Sequence, residues 1–169
     1  MHRLITLALA IYSYFLIKVN IPRLPARIPT HFNAAGEANG WGSPDTLWFL
    51  LLVQVLICGL LLAMPLLGGR YPGSVNLGRR RLSDFGPQVR ERITPLFTNM
   101  MGTMSVLLGL LMSLLLHGII RAALSSQPHF APKWELGLFL AGVAVTLICY
   151  LRRIYAVASE VNANSSSRT

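Results

Sequence analysis

The side chains able to do chemistry in this 169-residue chain are few and set far apart. His31 lies close to Asn33, Glu37 and Asp45, and an imidazole with carboxylates could ligate a metal or pass a proton. No HxxxH, HExxH or cysteine pair accompanies it, so no metal site is expected. Glu37 and Asp45 are the only carboxylates of this region, and no nucleophile stands with a base at a recognisable spacing. The chain therefore reads as a non-enzyme without a cofactor. The bland role for His31 is a hydrogen bond to the backbone of its own turn; the sharper one is a contact to a ligand or partner. Cys58 and Cys149 fall inside apolar runs and read as small buried hydrophobes.

The element that must position His31 is the stretch from Leu24 to Gly42, a long polar and aromatic segment between apolar runs. Pro22, Pro25 and Pro29 keep its entry extended. Thr30 to Asn33 is expected as a short strand, Asn39-Gly40 as the turn, and Trp41 follows it, which together make a hairpin-like cap. Phe32 and Trp41 are expected to pin this cap to a membrane interface, with a grip on an apolar partner as the alternative.

Composition places the cap on a membrane protein. The chain is 53% hydrophobic and 12% charged, with a mean hydropathy of +0.54, against about 25% charge in soluble domains. Four apolar segments, about 4–19, 46–67, 95–120 and 134–151, approach or exceed the roughly 20 residues that cross a bilayer. The expected fold is all-α and integral to the membrane: one domain over 1–162, four transmembrane helices, a short extracytoplasmic hairpin-like loop over 20–45, and a disordered tail over 163–169. The first segment reads as a retained span, since Asn20-Ile21-Pro22-Arg23 resembles an exit loop more than a cleavage site. Pro95 suits the first turn of the third span, and Pro87 to Thr94 is expected as a short interfacial helix leading into it.

Within the spans, Ser105, Gly109, Ser113 and His117 follow one another at i+4 and share a helix face, the expected helix-packing seam. Gln54 is expected to join such packing, because a polar group at membrane depth faces another helix. Gly137 and Ala141 repeat the small-residue spacing in the fourth span. Arg79, Arg80 and Arg81 read as a lipid-headgroup stretch. The net charge of +9 lies in the connections, without interleaved stacking aromatics, so nucleic acid is not expected. With both termini and the second connection on one side, that side holds 10 Lys and Arg against 5 on the other. It is read as cytoplasmic, so the cap faces outward.

The order Leu24-Pro25-x-x-Ile28-Pro29-Thr30-His31-Phe32-Asn33-x-x-Gly36-x-x-x-Gly40-Trp41-Gly42 resembles the bacterial membrane family called domain of unknown function 1648. That family includes proteins similar to the immunity protein against the sporulation-delaying toxin. Val75-Asn76-Leu77 is a weaker likeness. Asn39 stands where Asp is expected and Pro44 where Lys is expected, so roles resting on those charges do not carry over. The resemblance implies a multi-pass protein of the bacterial cytoplasmic membrane, with toxin immunity or envelope signalling as its theme. Its candidate partner-binding residues here are Leu24, Pro25, Ile28, Pro29, His31, Phe32, Asn33, Gly36, Asn39, Gly40, Trp41 and Gly42. The expected partners are the bilayer and a peptide toxin or membrane protein. The alternative is an oligomeric membrane subunit, a homo-oligomer among the options, or a minimal transporter built on the Ser105 to His117 ridge.

Overall fold

The computed structural model describes residues 1–70, 76–77, 80–84, 86–126, 128–130 and 133–166. Helix α1 runs over His2–Asn20, the strands β1 and β2 over Ile28–Phe32 and Ala38–Gly42, and α2 over Thr46–Arg70. Two short strands follow, β3 (Asn76–Leu77) and β4 (Arg80–Arg81), then α3 (Pro87–Ala123) and α4 (Lys133–Ser166). Among the described residues, four helices are long and apolar enough to cross a membrane. Large apolar side chains cover their outer surfaces, with Phe49 61% and Leu138 64% exposed. Water would penalise that surface and lipid would not, which suits a multi-pass membrane protein.

The helix ends follow local chemistry. Asn20 closes α1 by donating from Nδ2 to the Leu16 carbonyl at 2.8 Å, and Pro22 lies in the short 3-10 turn that follows. Ser43 opens α2: its carbonyl accepts from Thr46 N–H and its hydroxyl from Asp45 N–H, at 3.0 and 3.2 Å. Pro87 begins α3, where its missing N–H leaves no bond unmade.

Helix α3 is the centre of the bundle and packs against α1, α2 and α4. Its small-residue ridge forms a seam with two helices at once. Thr6 Oγ1 meets Ser105 Oγ at 3.2 Å and Ser13 Oγ meets Ser113 Oγ at 2.9 Å, so α1 lies parallel to α3. From antiparallel α2, Gln54 Nε2 donates to the Gly109 carbonyl (3.3 Å) and to Ser113 Oγ (3.4 Å). Cys58 Sγ donates to the Ser105 carbonyl at 3.4 Å, and Ser105 Oγ to the Cys58 carbonyl at 3.3 Å. Small side chains permit this approach, and each interhelical hydrogen bond contributes on the order of 0.6 kcal/mol in a membrane. His117 lies at the seam's edge, with Nδ1 3.2 Å from Tyr12 Oη.

Several expectations need correction. Pro95 lies inside α3, not at its start, and Pro87 to Thr94 continues the same helix. Val89 and Ile93 are buried there against Ile154 of α4, an apolar contact that packs the extension on its neighbour. Helix α4 continues past Arg152-Arg153 to Ser166, into the stretch expected to be disordered, and 167–169 lie outside the described residues. Gly137 and Ala141 are both exposed, and among the described residues a Cβ on Gly137 would touch nothing. Gly142 makes the closer approach: a Cβ there would stand 3.3 Å from Leu107 Cδ2. Cys58 is buried as expected, whereas Cys149 is exposed. Of the arginine run, Arg79 lies outside the described residues, as does Val75; Arg80 and Arg81 pair with Leu77 and Asn76, and Arg81 is exposed.

Candidate functional site

Strands β1 and β2 form an antiparallel hairpin on the end of the bundle where α1 finishes and α2 begins. Its first strand is seated in the bundle. Ile28 is fully buried in a cluster with Ile17, Leu47, Leu116 and Ile120, Leu24 packs against the same cluster, and Pro29 is also buried. Leu24, Ile28 and Pro29 thus seat the strand in the bundle, while Pro25 is exposed.

The turn differs from expectation. Asn39 and Gly40 lie within β2, and the chain reverses over Asn33 to Glu37. Gly36 takes the positive φ, at 90°, a conformation that L side chains rarely adopt. Asn33 closes this turn from both sides: Oδ1 accepts Glu37 N–H at 3.0 Å and Nδ2 donates to Glu37 Oε2 at 2.8 Å. Gly40 serves close approach instead, since a Cβ there would stand 2.8 Å from His31 Cβ. His31 bonds across the hairpin to a side chain, not to its own turn: Nδ1 meets Asn39 Oδ1.

The hairpin also grips the connection between α3 and α4. Phe130 N–H donates to the Gly36 carbonyl at 2.8 Å, Ala38 N–H donates to the Pro128 carbonyl at 3.4 Å, and Glu37 forms a β-bridge with His129. The Phe130 ring meets Phe32 edge to face, with centroids 5.6 Å apart. On its other side it lies on Gly118 of α3, where a Cβ would collide with Phe130 Cε2. Phe32 and Gly36 of the motif, with Gly118, therefore fix one aromatic ring.

Two cavities flank that ring. One, of about 440 Å³, is mainly apolar: Leu50 of α2, Met112, Leu116 and Ile119 of α3 and Leu136 of α4 form its walls, and His31, Phe32, Asn33 and Ala34 contribute from the hairpin. The other, of about 500 Å³, is lined by His117, Gly118, Arg121, His129 and Glu135. Leu115 and Phe130 line both. Among the described residues, no three His, Cys, Asp or Glu side chains gather as a metal would require.

Residues 4–57 match the family model described as "Domain of unknown function (DUF1648)". The matched segment takes in α1, the hairpin and the first part of α2, with His31, Phe32, Gly36, Gly40 and Trp41 inside it. Helices α3 and α4, which complete both cavities, lie beyond it. No curated protein and no solved structure matches the chain.

Trp41 (46% exposed) and Trp134 (68% exposed) lie on the surface at this end, while Trp48 is half-buried beside Tyr14 at 5.6 Å. Gln54, Ser105, Gly109 and Ser113 are drawn into the interior seam, away from the hairpin. Sequence reasoning missed Gly118, Arg121, His129, Phe130 and Glu135 as site residues. They fall in a helix end and a polar link whose role comes from pairing with a hairpin about 90 residues earlier, and no local pattern encodes that pairing.

Proposed function

We propose that this is a non-enzymatic multi-pass protein of the bacterial cytoplasmic membrane, of immunity or envelope-signalling type, with the hairpin facing outward as its recognition element and both termini in the cytoplasm. The observation that carries this reading is the hairpin's position. It covers an apolar cavity among α2, α3 and α4 and is bonded to the α3–α4 connection, so a ligand held there touches three helices and the motif together. The interior seam favours this reading over a transport path along Ser105 to His117, since α1 and α2 already fill that ridge.

The test is survival. Expression in a susceptible bacterium is expected to raise survival against a membrane-active peptide toxin, and His31→Ala or Phe32→Ala to remove the protection at unchanged protein level. His31 is exposed and Phe32 half-buried, so the bundle should persist in both variants. Protection that survives both changes would sink the assignment to the hairpin.

A further inference from the structure

The polar cavity has a feature that the apolar one lacks: a carboxylate and a guanidinium in one lining, from Glu135 and Arg121, together with the imidazoles of His117 and His129. A purely anionic ligand would suit Arg121 and be repelled by Glu135; a simple amine would suit Glu135 and be repelled by Arg121. A ligand carrying both a phosphate and a primary ammonium satisfies the two together.

Depth and the apolar neighbour supply the rest of the ligand. Arg121 lies in the last turn of α3 and the exposed Trp134 in the first turn of α4, and indoles favour the headgroup zone. Met112, at the far end of the apolar cavity, lies nine residues before Arg121 on α3, or about 13 Å deeper along the axis. That depth fits a lipid chain descending from a headgroup, and the two cavities adjoin at Leu115 and Phe130.

We propose that the paired cavities bind one aminophospholipid of the phosphatidylethanolamine class, its phosphate on Arg121 and His129, its ammonium on Glu135, and an acyl chain under the hairpin. This deepens, and rests on, the reading of the hairpin end as a recognition element. It assigns to the motif the role of closing a lipid site through Phe32 and Gly36, which hold Phe130 between headgroup and chain.

The experiment reconstitutes the full chain in vesicles of equal mole fractions of phosphatidylethanolamine and phosphatidylglycerol, extracts it in mild detergent and counts retained lipids by native mass spectrometry. The expected result is retained phosphatidylethanolamine in excess over phosphatidylglycerol by about fivefold, the scale of one headgroup charge contact. Glu135→Gln should bring the ratio near one, and Glu135→Lys should invert it; an inversion requires a folded site, which separates loss of the contact from loss of the fold. Retention at the vesicle ratio, a preference for phosphatidylglycerol in the unaltered chain, or a preference unchanged in both variants would overturn the proposal. A wild-type chain that protects cells, loses protection in His31→Ala, and shows no lipid preference would overturn the lipid assignment alone. An apolar peptide retained in place of lipid would do the same.

Discussion

Gly118 is the residue on which the hairpin end turns, although nothing in its own neighbourhood marks it. Its missing Cβ leaves the space that the Phe130 ring fills. Gly118→Ala should expel that ring or shift α3, at a cost of about 1–3 kcal/mol for the overpacking. Gly137→Ala, in open space on α4, should leave stability unchanged or slightly raised through helix propensity. Thermal unfolding in detergent checks both, and equal behaviour of the two variants would show that Phe130 has room to move. His31 and Asn39 illustrate how residue-level reading can find the right groups and the wrong partner. The need of an imidazole for a hydrogen bond was legible, but whether backbone or side chain supplies it depends on the β1–β2 register, which two bulges near His31 determine.

At the scale of elements, the seam was legible because its signal is local: four residues at i+4 on one helix, small enough to admit neighbours. Which helices enter it was not local, and α1 and α2 share it. Ser113 is in hydrogen-bonding reach of both, through Ser13 and Gln54. Ser113→Leu is expected to separate α1 from α3 and lower the unfolding temperature sharply, whereas Gln54→Leu should change stability by no more than about 1 kcal/mol. Gln54 Oε1 is buried without a partner, so the leucine removes an unmet acceptor along with two long hydrogen bonds. A larger loss for Gln54→Leu than for Ser113→Leu would reverse this ranking. The hairpin turn was misplaced for the complementary reason. Asn39-Gly40 is a strong local turn pair, yet Gly36, bonded to Phe130 from a distant loop, is the glycine that takes the positive φ.

For the whole molecule, four apolar helices were legible from hydropathy, while the reach of α3 and α4 was not. The arginines of both helices suggest that the membrane part ends with them, and they conceal the apolar contacts of Val89, Ile93 and Ile154 that carry the pair further. Orientation is open to direct test with single cysteines at the exposed Ala35, Ser83 and Ser159, in a background lacking Cys58 and Cys149. An impermeant thiol reagent on intact cells is expected to label the Ala35 position alone. Labelling at Ser83 and Ser159 instead would invert the topology and move the search for a partner to the cytoplasm.

The 37 residues of α3 have a mechanical consequence. At about 1.5 Å per residue the helix is a rod of roughly 55 Å, with Gly118 near one end and the Val89 and Ile93 contact with α4 near the other. A rod of that length converts angle into displacement: a tilt of about 5° about the Ser105 to Ser113 seam moves the far tip, roughly 33 Å away, by about 3 Å. Pro95 lies between the two contacts and has no N–H to give the Glu91 carbonyl, so bending is easiest there. The chain thus carries, in a single uninterrupted element, a lever with its short arm under the hairpin and its fulcrum in the Ser105 to Ser113 seam.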